Sequence, residues 1–202
     1  MKYETIASDN IISKTIEALK SNGINAIVAN DDPEAKEKVL EMIPKGAEVL
    51  TMTSVTADTI SITKEINESG NYNSVRNKLN KMNRNTQSLE MQKLGAAPEW
   101  VIGSVHAVTQ DGKVLVASAS GSQLPAYSYG ASHVIWVVGA QKIVKDFEEA
   151  LKRIYDYTLP LENERAKKAY GVGSAVNLLL VINKNPKPGR MTMVIIKEKI
   201  GF

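Results

Sequence analysis

The chain has 202 residues, no cysteine, 43% hydrophobic and 23% charged residues, and a net charge of only +3. At this length roughly 70% of the unfolded surface can be buried on folding, so a core forms without staples. The missing thiols exclude disulfides, thiolate metal sites, a cysteine nucleophile and a self-held iron–sulfur cluster, and 25 Lys and Arg against 22 Asp and Glu are too few for a chain built to neutralise many phosphates.

The elements alternate along the chain. Ser8 or Asp9 caps a first helix with Ile12, Ile16 and Leu19 on one face and Gly23 as its stop. Residues 24–29 are β-branched enough for a buried strand. Asp31-Asp32-Pro33-Glu34 then starts a helix with an acceptor cap, an early proline and acid near the positive dipole end; Pro44-Lys45-Gly46 breaks it. Residues 47–52 form a second strand that delivers a polar turn, 51–56. Residues 57–69 read as helix, and 73–94 as a long polar segment with a thin apolar stripe at Val75, Leu79, Met82, Leu89 and Met91.

Residues 100–109 and 114–117 flank Asp111-Gly112, a hairpin dipeptide. A Gly- and Ser-rich stretch, 118–122, leads to a helix near 124–130. Strand 134–138, the turn Gly139-Ala140-Gln141-Lys142 and an amphipathic helix over 144–157 follow. Pro160 restarts a helix that ends near Gly171, and strands over Leu178–Ile182 and 191–197 close the chain. This order predicts an α/β fold, a mostly parallel sheet flanked by helices with antiparallel additions. One domain over 1–202 is expected, with 70–98 as a polar helical insertion or lid. The start MKYETIASDN lacks the apolar core of a signal peptide, and no apolar run approaches the ~18–20 residues that span a bilayer, so a cytoplasmic protein without a membrane segment is expected.

In open α/β sheets ligands bind beyond the carboxyl ends of the strands. Three segments should project there: 51–56, 118–123 and 139–142. They offer Thr53, Ser54, Thr56, Ser118, Ser120, Gly121, Ser122, Gln123, Gln141 and Lys142. Small hydroxyl residues and glycine before a helix leave backbone N–H groups free for a phosphate, carboxylate or nucleotide-like group, or else they serve only as caps. Arg190, in the turn Pro188-Gly189-Arg190, either faces solvent or reaches an anion; Arg153 and Arg165 carry the same ambiguity. Of the two histidines, His106 is the better general base, and neither belongs to a ligand-spaced pair. No Walker loop or nucleophile elbow is present, and Tyr170-Gly171-Val172-Gly173-Ser174-Ala175 is only a partial dinucleotide fingerprint, so no metal and no cofactor is implied. Arg76, Lys78, Lys81, Arg84 and Lys93 lack aromatic neighbours, which argues against nucleic acid.

From Gly103 onward the chain resembles the LUD-domain (lactate-utilisation) family. The resemblance runs through Gly103-Ser104-Val105-His106-Ala107-Val108-Thr109-Gln110-Asp111-Gly112 and the glycine turn before Gln123. It continues in Val137-Val138-Gly139-Ala140-Gln141-Lys142-Ile143-Val144, Ala150, Arg153, Pro188-Gly189-Arg190 and Gly201-Phe202. Upstream, residues 44–56 look like the family's first strand and turn. The resemblance implies a sheet similar to the CoA-transferase and ribose-phosphate-isomerase superfamily, whose members place anionic ligands at strand ends. It implies a small anionic metabolite as ligand, with possible ties to lactate or organic-acid metabolism. A non-catalytic accessory subunit of a redox complex, with redox proteins as partners or a second copy of the chain, is the alternative it leaves open. Where many relatives carry a cysteine-rich stretch, this chain has Ala169-Tyr170-Gly171-Val172-Gly173-Ser174; where many have Asn-Arg after the loop glycine it has Ser122-Gln123, and where many have Asn it has His106.

Overall fold

A computed structural model describes residues 3–202. Ten strands form two sheets. The larger is fully parallel, in the order β1-β10-β7-β4-β2-β3: β1 (Asn25–Ala29), β10 (Met191–Ile196), β7 (His133–Gly139), β4 (Trp100–Gly103), β2 (Glu48–Thr51) and the two-residue β3 (Asn73–Ser74). The smaller is mixed, in the order β8 (Ile143–Val144), β5 (Ala107–Thr109), β6 (Val114–Ser118), β9 (Leu178–Ile182). The α/β class with antiparallel additions is therefore what the chain adopts.

The central strands explain the layering. In β7, Val134, Trp136 and Val138 point to one face and Ile135 and Val137 to the other, and all five are fully buried. β10 repeats this with Met191, Met193 and Ile195 against Val194 and Ile196. Strands buried on both faces read as continuous apolar runs, and these do. One face is covered by α2 (Asp32–Met42), α3 (Val55–Thr59) and α4 (Ile62–Glu68). The other meets α1 (Asp9–Ser21) and the smaller sheet, through Val108, Val114, Val116 and Ile182. The outer face of that smaller sheet packs under α7 (Phe147–Lys152) and the π-helical turn Arg153–Thr158, which runs on into α8 (Leu159–Tyr170). Each aliphatic side chain so buried contributes about 1.5–3 kcal/mol.

Local signals set the helix starts. Asp31 accepts from the N–H of Glu34 at 2.9 Å ahead of α2, and Ser8 caps α1. The expected single helix over 57–69 is two, because Ser61 adopts a left-handed conformation (φ 58°) between α3 and α4. Residues 100–109 are not one strand but two: β4 ends at Gly103, and the chain turns into the other sheet as β5. The last two strands do not pair with each other. β9 runs antiparallel to β6, whereas β10 inserts between β1 and β7. Asn185 directs this path: its N–H donates to Asn22 O at 2.8 Å and its amide to Gly23 O at 3.0 Å, pinning the connection to the end of α1. The polar stretch after Gly70 holds β3, α5 (Val75–Lys81) and α6 (Ser88–Ala96).

The Asp111-Gly112 hairpin turn presses on the same helix end. Gly112 has φ +81°, and a Cβ there would lie 2.7 Å from the backbone carbon of Ala18 and 2.8 Å from Leu19 N. Gly112→Ala is expected to lower unfolding free energy by roughly 1–3 kcal/mol through strain alone, and further through this collision, as read by urea denaturation; a variant as stable as wild type would contradict the packing.

Candidate functional site

Every strand of the larger sheet ends on the same edge, because all run parallel. Three turns meet there: 52–54 after β2, 104–106 after β4, and the 3-10 turn Ala140–Lys142 after β7. Lys142 joins them. Its side chain is 2% exposed, and Nζ donates to Thr56 Oγ1 and Ser104 Oγ, both at 3.0 Å, and to Val105 O at 3.2 Å. Burial, with the nearby Arg153 charge second, holds this amine well below the usual lysine range.

Arg153, at the start of the π-helical turn, is fully buried behind the same segment. Its Nη1 donates to His106 O and, at 2.9 Å, to Thr158 Oγ1, while Nε and Nη2 are buried without a partner. Burial lowers its pKa to about 10, which leaves it charged at neutral pH. The two buried basic groups thus hold the consecutive carbonyls of Val105 and His106. Among the described residues, neither forms a salt bridge with an Asp or Glu.

The His106 ring is half-buried, and its Nδ1 accepts the N–H of Ala117 at 3.1 Å. Desolvation, then the charges of Lys142 and Arg153, lowers its pKa to about 3. The bond to Ala117 brings the end of β6, and so the 118–123 loop, beside the parallel edge. Within that loop Ser118 Oγ donates to Gln123 Oε1 at 2.9 Å and accepts from Gly121 N at 2.8 Å, and Gln123 Nε2 donates to Ala117 O at 3.2 Å. Ser120 and Ser122 are exposed and bond each other at 3.1 Å. Thr53 is exposed; Ser54 is half-buried and caps α3 through the N–H of Ala57 at 3.2 Å.

Hydrogen bonds link Thr56 and Lys142 to Val105, and the adjoining His106 to Ala117 ahead of the 118–123 loop, while Thr53 and Ser54 lie in the turn after β2. Two other predicted residues are spent on the fold. Gln141 Nε2 donates to Ile200 O at 2.9 Å and Gly201 O at 3.3 Å, holding the last residues against the edge. Arg190 neither faces solvent nor opens on the edge: it is 7% exposed and donates to the carbonyls of Ala131 (2.7 Å), Tyr127 (3.0 Å) and Ala126 (2.8 Å). These are the carbonyls at the ends of the π-helical turn Ala126–Gly130, so the guanidinium caps it.

Two participants were not singled out from sequence. Ser104 contacts Lys142, and the Gly103-Ser104 pair inside an apolar run was the available signal. Tyr127 is the other: its hydroxyl lies over Gly103 beside Met52, so closely that a Cβ at 103 would overlap it. Burial raises the Tyr127 hydroxyl pKa, so it stays protonated.

A parallel α/β sheet with a polar carboxyl edge and two buried basic side chains behind it defines an α/β protein with a second, mixed sheet. A family model described as LUD domain matches residues 12–196, and the chain belongs to the LUD-domain family. Among solved structures it is similar to a DUF162 family protein from Deinococcus radiodurans, at 10% identity and a TM-score of 0.59, over 95% of this chain and 99% of that one; the likeness shows a shared fold. A weaker similarity, to eIF2B beta from Chaetomium thermophilum, has 16% identity and a TM-score of 0.39 over 58% of this chain and 44% of that one. No curated protein matches the chain. Among the described residues no helix is long and apolar enough to cross a membrane.

Arg190→Met is expected to cost about 2–4 kcal/mol by leaving buried carbonyls unpaired, measurable by urea denaturation. His106 makes a pH prediction. Its folded pKa of about 3 lies below the ordinary 6.5, so between these values the unfolded chain binds more protons. Stability therefore rises with pH across that window and is lost as pH falls through it. His106→Asn, which removes the titrating ring, is expected to flatten the slope of unfolding free energy against pH in that range; an unchanged slope would place the titration elsewhere.

Proposed function

We propose that the carboxyl edge of the larger sheet binds a small anionic metabolite, a phosphate, carboxylate or acyl-CoA-like compound of organic-acid metabolism. The observation that carries this reading is the buried Arg153 guanidinium, charged at neutral pH, beside the buried Lys142 amine, the two on consecutive carbonyls and, among the described residues, without a salt bridge to Asp or Glu. A buried charge is costly unless it is compensated, and neutral oxygens satisfy its hydrogen bonds without cancelling its field. That field favours an anion at the adjoining edge, where Thr53, Ser54, Ser120 and Ser122 offer exposed or half-exposed hydroxyls.

Residues 70–98 serve as the lid of this site within a single domain. Arg76 of α5 supports that role, because its Nε and Nη2 donate to Thr51 O at 3.0 and 2.5 Å, fastening the segment to the end of β2.

Inorganic phosphate, lactate and acetyl-CoA are the probes. A ligand that occupies the site at about a hundred times its Kd adds about 2.7 kcal/mol of stability, a Tm rise of about 5–10 °C for a chain of this size. The rise is expected in wild type and is expected to shrink in Lys142→Met, which removes the buried amine, and in Ser120→Leu, which blocks the exposed loop without touching the core. No rise with any of the three would sink the proposal.

A further inference from the structure

Resting on the anion reading above, we infer that His106 is a fixed, neutral hydrogen-bond donor that presents Nε2–H to an oxygen of the bound anion, and is not a general base. The bond from Ala117 N–H at 3.1 Å decides the tautomer. A ring nitrogen that accepts a hydrogen bond carries no proton, so the neutral ring holds its single proton on Nε2. The lone pair a base would use is consumed by the backbone of β6.

Nε2 has no hydrogen-bond partner among the described residues, and the ring is only half-buried, so this N–H is an unspent donor with access to solvent. Its backbone is held from two directions. Lys142, from the turn after β7, bonds Val105 O at 3.2 Å, and Arg153, from the π-helical turn, bonds His106 O. Lys142 and Arg153 are also the charged groups that act on the ring, and both oppose its protonation. An uncharged donor next to the buried, charged Arg153 keeps the same protonation state through the neutral range, so ligand geometry is read by His106 while the charge is supplied from behind it. This is the division seen wherever a neutral imidazole polarises an oxygen beside a fixed positive field.

The test is NMR of the imidazole nitrogens in the full chain between about pH 5 and pH 8, free and with inorganic phosphate or lactate. A protonated Nε2 and bare Nδ1, unchanged with pH, are expected, with the ligand moving the Nε2–H signal. His106→Asn keeps an acceptor for Ala117 N–H and loses the reach of Nε2; it is expected to melt like wild type at neutral pH and to bind about ten- to a hundredfold more weakly. His106→Gln, whose amide N–H extends further, is expected to recover part of the loss. A proton on Nδ1, a ring that titrates in the usual histidine range, or wild-type affinity in His106→Asn would overturn the inference alone. A neutral, Nε2-protonated ring in a wild-type chain that binds neither probe would overturn the anion reading and the donor role with it.

Discussion

The Lys142 amine, enclosed by three neutral oxygens, is the constraint around which the carboxyl edge is organised. One atom ties the turn after β7 to Thr56 on α3 and to the 104–105 turn after β4. Arg153 fastens the helical layer of the smaller sheet to the next carbonyl. Stability alone does not account for such a choice. Desolvating a lysine and an arginine costs several kcal/mol each, and an apolar side chain of similar volume packs as well or better. The surrounding cores offset the expense, since β7 and β10 are buried on both faces at every position but His133 and Thr192. What the two groups add is the positive field of Arg153 at one end of the sheet and fixed carbonyls in the 104–106 segment.

That segment shows why the architecture was only partly readable from sequence. Periodicity and caps are local, and they located most elements: the Asp31-Asp32-Pro33-Glu34 start, the Asp111-Gly112 hairpin and the apolar runs of β7 and β10 all stand where expected. Division into two sheets is not local. Residues 100–109 read as one strand because nothing in their hydrophobicity marks a break; the carbonyls at the break are bonded by Lys142 and Arg153, 37 and 47 residues away. The same holds for β10, whose insertion between β1 and β7 depends on Asn185 reaching back 162 residues to Gly23. Partners that distant leave no trace in a window of a dozen residues.

Hydroxyl-rich loops were legible as a class, yet their uses differ. Ser118, Gly121 and Gln123 close a network on themselves and the backbone, which shapes the loop. Ser120 and Ser122 stay outside it. Arg190 resembles an anion receptor by type and position in a tight turn, but the π-helical turn it caps has carbonyls that an ordinary helix end would have spent differently. A single arginine therefore carries no information about role until the carbonyls around it are counted.

Placing the positive charges behind a layer of neutral donors, rather than on the surface, has a physical consequence. Surface lysines attract anions through water, and salt screens them within about 10 Å. Arg153, charged at neutral pH, acts through protein, where screening is weaker, and both it and Lys142 are held by backbone and hydroxyl oxygens. In the proposed site the donors that would meet the ligand, the Nε2–H of His106 and the loop hydroxyls, carry no net charge, so their hydrogen-bond geometry would select among anions while the buried field would favour anions in general. In the proposed anion site, attraction and discrimination would then reside in different residues: the exposed loops would select which anion fits, and the buried basic groups would favour anions as a class.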